Sequence, residues 1–521
     1  MSQHDLLATF DSIGHPRVLV IGDLILDRYT WGNAERVSQE APVILLRADE
    51  REARLGGAAN VCNMLRGLEA HVTVAGAVGD DADGRQLTRL LADAGVSTDY
   101  LCVDPSRPTT VKERFIGRAA NRHPHQILRV DTEVRDPLSE QMENRLIDWL
   151  VPHIAGFQVV LISDYHKGVC TPRVMAALIA AARQAGVPVI VDPMRGTDYS
   201  RYRGATTMTP NRLEAELATG KKIVQPADAF EAGKILCRDL NLEMAIITLD
   251  RDGMALVWPP AGASSGDAEM PSELFPTRAR AVYDITGAGD MVLAAIGVAF
   301  AAGASPAEAI ELGNVAAGLE VEKVGVAVIP REEIRAALAA AQRTKRPKVM
   351  PRDELAIALA EDRAVGRRVV FTNGCFDLLH VGHVTYLQEA AGYGDRLVVA
   401  VNSDTCVKRL KGANRPVITE HDRAAMLAAL ACVDYVVVFE EDTPKPLLTA
   451  LRPDVLVKGG TYTLDEVVGH EIVEAYGGRV VVTGVVAGVS TTAIVRSVAE
   501  RQAPPKPHFD TAPVTDQRRA G

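Results

Sequence analysis

The sequence predicts two consecutive α/β domains, each built on a mainly parallel sheet, the second smaller than the first. Three observations lead there: short apolar runs ending in polar residues or glycine, Ala-rich stretches of helical period between them, and a charged, proline-containing break followed by a fresh series of such runs. At 521 residues, 47% hydrophobic and 24% charged, the chain has the balance of a globular protein of about two to four domains.

In chain order, Arg17 to Asp23, Val159 to Asp164, Val187 to Asp192 and Met244 to Asp250 are strand candidates, and Pro172 to Ala185 is a helix. An apolar helical run covers Met291 to Gly303 and a further helix-like segment Arg331 to Gln342. Arg343-Thr344-Lys345-Arg346-Pro347-Lys348 reads as the linker. The second series has strands Arg368 to Thr372, Arg396 to Asn402, Tyr435 to Phe439, Asp454 to Lys458 and Arg479 to Thr483, with a helix from about Gly382. Pro504 to Gly521 is polar and nonperiodic, the composition of a disordered tail. The expected division is 1–345, 346–503 and a tail over 504–521. Ligands in such folds gather at the carboxyl ends of the strands.

A net charge of −10 repels polyanions, so no nucleic-acid partner is expected. Seven scattered cysteines without a CxxC pair fit reduced thiols. No run reaches the ~18 apolar residues of a membrane span, and Met1 to Gly14 lacks a basic start followed by an apolar stretch. No membrane association and a cytoplasmic location are expected.

Gly287-Ala288-Gly289 directly precedes the apolar helix, where unpaired N–H groups and the positive dipole end suit an anion. Asp290, in the first turn, suits a general base that takes a proton from an attacking hydroxyl. Lys112, Arg114 and Arg118 on a strand-like stretch suit either a phosphate already on a sugar or a solvated charged face. No Walker GxxxxGK[ST] occurs, which argues against a P-loop kinase.

Together with Leu55-Gly56-Gly57-Ala58-Ala59-Asn60, Asn211-Arg212-Leu213-Glu214 and Asp284, the glycine turn resembles the ribokinase (PfkB) family of sugar kinases over about residues 15 to 330. The resemblance implies a ribokinase-like fold with Asp290 as base and the backbone of Gly287, Ala288 and Gly289 as anion hole. It implies that Asn211 and Glu214 organise Mg²⁺ near the nucleotide, Glu214 through water, with Arg212 and Leu213 in the same element. Asp23, Gly56, Gly57 and Asn60 match sugar-binding parts, although Asp23 also suits a strand-end carboxylate with no ligand. Two departures stand out: Thr248-Leu249-Asp250-Arg251-Asp252-Gly253 where many members have TxGxxG, leaving Thr248 and Gly253 on the nucleotide side, and Asp192-Pro193-Met194-Arg195-Gly196 where close relatives have Asp-Pro-Lys-Gly.

In the second series, Thr372-Asn373-Gly374-Cys375-Phe376-Asp377-Leu378-Leu379-His380-Val381-Gly382-His383 follows a strand and opens a helix. The spacing of His380 and His383 places both imidazoles on one face, where two donors could stabilise charge on an α-phosphate under attack. Cys375, His380 and His383 with His421 could instead suggest zinc, but the spacing is not a usual zinc pattern. A pair of structural histidines is the other reading. The run resembles the HxGH nucleotidyltransferases of the cytidylyltransferase-like superfamily, a Rossmann-like fold. Further matches follow in order at Asn402-Ser403-Asp404, Lys408 to Gly412, Arg415-Pro416, Arg423, Lys458-Gly459-Gly460, Ser490-Thr491-Thr492 and Arg496. By this resemblance Asn373, Gly374, Phe376, Lys411, Ser490, Thr491 and Thr492 hold the nucleotide, and Asp404, Lys408, Arg415 and Lys458 the sugar phosphate.

A ribokinase-like domain ahead of an HxGH nucleotidyltransferase, with the run Glu440-Glu441-Asp442-Thr443-Pro444, resembles the bifunctional heptose kinase and adenylyltransferases of bacterial lipopolysaccharide synthesis. That resemblance implies ATP and Mg²⁺ as cofactors. It implies heptose 7-phosphate and heptose 1-phosphate as substrates, ADP-heptose and pyrophosphate as products, and a homodimer. Other readings are a different sugar kinase joined to a cytidylyltransferase acting on a small alcohol phosphate, and a catalytically silent sugar-nucleotide sensor.

Overall fold

The computed structural model describes residues 6–118, 124–260, 270–277, 285–323, 325–345, 347–460 and 463–483. It divides into two compact units, Met1–Arg343 and Thr344–Gly521. The helix Arg331–Lys345 continues through the first half of the charged segment read as a linker.

The first unit is organised by a six-stranded parallel sheet in the spatial order Thr207–Met208, Val189–Asp192, Val159–Ser163, Arg17–Gly22, His71–Gly79, Ser97–Asp104. Its central strands are almost wholly buried, because helices cover both faces, and so they read as unbroken apolar runs. Strand order reverses between Arg17–Gly22 and Val159–Ser163, which opens a crevice at their carboxyl ends. The two strands approach closely there: a Cβ on Gly22 would lie 2.0 Å from the Ser163 carbonyl oxygen.

The helix Ala288–Ala301 is buried from Asp290 to Ala299, which explains its lack of a polar face. It begins three residues before the predicted run, because Gly287, at φ 96°, is its N-cap and draws Ala288, Gly289 and Asp290 into the first turn. The predicted strand from Met244 to Asp250 is shorter, Ala245–Thr248, and stands apart from the parallel sheet. It pairs antiparallel with Met254–Val257, since the chain reverses over a short turn ended by Gly253 at φ 100°, too short a connection for a parallel crossover. A four-stranded sheet that the sequence reading did not foresee, apart from the stretch bearing Lys112, runs Ile44–Gly57, Leu24–Val37, Val111–Arg118, His125–Thr132.

The second unit carries a five-stranded, wholly parallel sheet in the order Tyr435–Phe439, Arg396–Asn402, Val369–Gly374, Val455–Gly459, Arg479–Thr483. The order reverses between Val369–Gly374 and Val455–Gly459, again placing a crevice at strand carboxyl ends. Among the described residues no helix is long and apolar enough to cross a membrane.

Candidate active sites

In the first unit, Asp290 is 6% exposed at the foot of the crevice. Asn60 Nδ2 donates to one of its carboxylate oxygens at 2.6 Å and the Tyr165 hydroxyl to the other at 3.1 Å. Burial pushes its pKa up to about 6, against the lowering effect of those two hydrogen bonds. Asp290 shares a cleft of about 630 Å³ with Gly287, Gly289, Asn211, Glu214, Thr248, Asp164, Asp192 and Arg195. Space remains over the glycine turn, since a Cβ on Gly289 would meet no atom within 4 Å.

Asn211 and Glu214 form a capping box at the start of the helix Arg212–Thr219: Glu214 N donates to Asn211 Oδ1 at 3.0 Å, and Asn211 N to Glu214 Oε2 at 2.9 Å. Burial raises the pKa of Glu214, with Arg195 opposing, and raises that of Asp192 well above the carboxylate range, with Glu214, Asp290 and Asp164 adding to the effect. Several desolvated carboxylates in one cleft fit a cation that would relieve their repulsion. Among the described residues no three His, Cys, Asp or Glu side chains converge as a direct cage.

Other expected residues have different occupations. Arg212 clasps the turn after Ala245–Thr248, donating to the Ile223 and Leu249 carbonyls and to Asp252 at 2.7 Å, while Leu213 is 41% exposed. Gly253 supplies the left-handed turn and is not part of the cleft lining. Asp23, expected to face a sugar, spends both carboxylate oxygens on the backbone N–H groups of Tyr165, Lys167 and Val169. A strand-end carboxylate 1% exposed must find donors, and the next loop supplies them. Gly56 and Gly57 lie where a Cβ would press within 2.3 Å of Asp27 Oδ2 and 2.5 Å of the Asp23 carbonyl oxygen. Arg114 pairs with Asp27 at 2.5 Å, Lys112 Nζ lies 5.1 Å from the centre of the Tyr165 ring, and Arg118 pairs with Glu50 at 2.7 Å on the surface. Asp27 and Tyr165 were missed by the sequence reading; Tyr165 directly follows the strand end at the switch point, the signal that could have found it.

In the second unit, Asn373 and Gly374 end the strand beside the switch point, and Lys458 Nζ from the neighbouring strand donates to the Asn373 carbonyl at 3.2 Å. Burial lowers the Lys458 pKa. Phe376 is held at φ 45°, a left-handed conformation costing a non-glycine residue on the order of 1 kcal/mol, and its ring packs edge-on to His383 at 5.3 Å. A Cβ on Gly374 would lie 3.0 Å from that ring. His380 is the N-cap of the helix Val381–Ala391, and its imidazole stacks on His383 with centroids 3.9 Å apart. His380 Nδ1 is buried and has no hydrogen-bond partner among the described residues. Burial, then the neighbouring His380, push the His383 pKa down to about 4.

Arg415 and Asp404, expected at the sugar phosphate, each have an internal partner. Arg415 Nε donates to the buried Asp377, which also accepts from Val417 N at 2.6 Å. Asp404 accepts at 2.6 Å from Arg423, whose fully buried guanidinium also donates to the carbonyls of Cys375, Asn402 and Ile418. A guanidinium removed from water requires such a counterion and acceptors. Lys408 and Lys411 are exposed at the end of the helix Asp404–Lys411. Asp284, Ser490, Thr491, Thr492, Arg496 and the tail lie outside the described residues.

Residues 15–333 match the family model described as pfkB family carbohydrate kinase, and residues 371–499 the one described as cytidylyltransferase-like. A Pelobacter propionicus relative, named bifunctional protein HldE, is 48% identical over 96% of this chain and 100% of its own. Proteins of the same name from Trichlorobacter lovleyi and Geobacter sulfurreducens are 48% and 47% identical, over 93% and 96% of this chain and 96% and 99% of theirs.

Proposed function

The chain belongs to the bifunctional HldE proteins, a pfkB-family carbohydrate kinase followed by a cytidylyltransferase-like domain, and on that premise we propose that it carries out two separated steps of ADP-heptose synthesis. The kinase transfers the terminal phosphoryl group of ATP to O1 of D-glycero-β-D-manno-heptose 7-phosphate. The adenylyltransferase joins AMP from a second ATP to heptose 1-phosphate and releases pyrophosphate. The heptose assignment rests on the joint order of both motif sets along one chain.

The observation that carries the kinase reading is the buried Asp290 carboxylate beneath the Gly287–Gly289 turn in a cleft of about 630 Å³. Asp290 takes the proton of the attacking O1 hydroxyl, and the glycine turn at the helix amino terminus faces the charge of the transferred phosphoryl group. Glu214, with Asn211 holding it in place, binds Mg²⁺ through water, and the cation neutralises phosphate charge when bound. Lys112, beside Tyr165, suits the 7-phosphate.

In the second unit, His380 and the neutral His383 donate N–H groups to the α-phosphate as the already ionised sugar phosphate attacks and pyrophosphate leaves. Asn373, Gly374 and Phe376 flank the nucleotide. Lys408 and Lys411 meet the phosphates from the exposed helix end, while Arg415, Asp404 and Lys458 brace the crevice. ATP and sugar phosphates as substrates support a cytoplasmic location. A homodimer is supported by exposed apolar residues on or beside the strands of the four-stranded sheet, among them Val37, Ile44, Leu128 and Val130.

The deciding experiment measures pyrophosphate release with Mg²⁺, heptose 1-phosphate and either ATP or CTP, with glycerol 3-phosphate as competing acceptor, and ADP formation with heptose 7-phosphate. Turnover with ATP and the heptose phosphates supports both halves. Release confined to CTP or glycerol 3-phosphate overturns the heptose assignment.

A further inference from the structure

Asp290 has two hydrogen-bond donors, Asn60 and Tyr165, which reach it from different parts of the fold. Both trace back to one residue. The Asp23 carbonyl oxygen accepts from Ala58 N at 3.0 Å, at the start of the helix Ala58–Gly67 that carries Asn60. The Asp23 carboxylate accepts from Tyr165 N and Lys167 N at 2.9 Å on Oδ2, and from Val169 N at 3.1 Å on Oδ1. Three alternate N–H groups of one loop converge on a side chain 1% exposed.

We propose that Asp23 is a positioning residue for the phosphoryl-transfer base: its carboxylate fastens the Tyr165–Val169 loop, so that the Tyr165 hydroxyl, opposite the Asn60 amide, holds the Asp290 carboxylate in register with the cleft. Asp23 touches no substrate in this arrangement. Its oxygens are spent on backbone, and its effect reaches the reacting hydroxyl through Tyr165. The same loop carries Lys167, whose ammonium is paired with Glu133 at 2.6 Å and whose side chain lines the cleft. A base held by two donors loses little orientational freedom when substrate arrives, which is where such positioning acts on rate.

The inference rests on the kinase reading above, and its signature is a pH profile. Tyr165 donates to Asp290 and so favours its ionised form; Asn60 and the charge of Lys112 act in the same direction, burial and the charge of Asp27 against it. Asp192 and the Cys62 thiol also feel the Asp290 charge. Removing the Tyr165 hydroxyl therefore raises the Asp290 pKa and moves the acid limb of the kinase profile to higher pH.

The test compares Tyr165→Phe, Asp23→Asn and the double variant with the unmodified protein, measuring kinase kcat and KM across pH and adenylyl transfer in the same preparations. Tyr165→Phe is expected to lower kcat about tenfold, to leave KM for the sugar phosphate within about twofold, and to shift the acid limb upward. Asp23→Asn is expected to give the same pattern, larger, with no further loss in the double variant and with adenylyl transfer intact. A raised KM with unchanged kcat and acid limb in Asp23→Asn would mean that Asp23 binds substrate, and additive losses would mean that the two residues act separately; either overturns the proposal. Should Asp23→Asn not fold, Tyr165→Phe decides alone, an unmoved acid limb sinking the idea. Absence of kinase turnover in the unmodified protein would instead overturn the functional reading beneath it.

Discussion

His380 and His383 stack ring on ring, 19° from parallel, at the first turn of the helix that opens the second crevice. Two imidazolium ions could not share that contact. With His383 pushed down to about pKa 4 by burial and by His380, it is neutral at physiological pH, and what it offers in the proposed mechanism is an N–H rather than a charge. Because its folded pKa lies below the ordinary value of 6.5, its contribution to stability is complete above about pH 6.5 and is lost as the pH falls toward 4. Adenylyl transfer should thus show no inflection from His383 between about pH 5 and 8. An inflection there that disappears in His383→Gln would contradict a neutral His383.

The two chemistries should separate cleanly by substitution. Asp290→Asn is expected to lower kinase kcat by ~10²-fold or more with adenylyl transfer unchanged, and His383→Ala to do the reverse. Loss of both activities in either folded variant, assayed as ADP and pyrophosphate formation, would show that the sites are interdependent.

Kinase activity should fall as the pH drops through about 6, since Asp290 must be ionised to accept a proton and burial has raised its pKa to about that value. The sign for stability is the opposite: a folded pKa above the ordinary value of 3.8 means that ionisation at neutral pH works against folding. Asp290→Asn is therefore expected to unfold at a higher temperature than the unmodified protein at pH 7, an advantage that shrinks as the pH falls below about 6 and is gone below 3.8. Thermal unfolding at the two pH values checks it.

Glu214→Gln keeps a hydrogen-bond acceptor for Asn211 N but removes a carboxylate from the cleft. The Mg²⁺ concentration for half-maximal kinase rate should rise by about 10-fold, with adenylyl transfer retaining its Mg²⁺ dependence. An unchanged Mg²⁺ titration would remove Glu214 from the cation's surroundings.

Arg423→Met places an uncharged chain where a fully buried guanidinium meets Asp404 and three carbonyl groups. A loss of about 3 kcal/mol or more is expected in the second unit, with adenylyl transfer abolished and kinase activity retained. Two resolved unfolding transitions, only the lower one moving, would be the calorimetric sign.

Much of the architecture was legible because parallel strands buried on both faces leave unbroken apolar runs; Arg396–Asn402 and Tyr435–Phe439 fall where the sequence put them. Gly287 was legible as a turn because only glycine sits comfortably at φ 96° before a helix. The four-stranded sheet was not, since strands such as His125–Thr132 are exposed along most of their length and carry no apolar alternation. At the sites, residue type disclosed chemistry but not partnership. Asp23, Arg415 and Asp404 are polar groups of the kind that bind ligands, yet each answers a buried demand first: Asp23 is itself buried, Arg415 meets the buried Asp377, and Asp404 meets the buried guanidinium of Arg423. That obligation depends on long-range packing, which no local pattern records.

Arg423 ties the residue after one strand, the end of a second, the loop at Ile418 and the helix start at Asp404 into a single plate. A floor so riveted cannot breathe piecemeal. Beyond the exposed lysines of Asp404–Lys411 stands Gly412, at φ 98° with open space around it, so that a fastened base gives way to a rim whose bend depends on glycine.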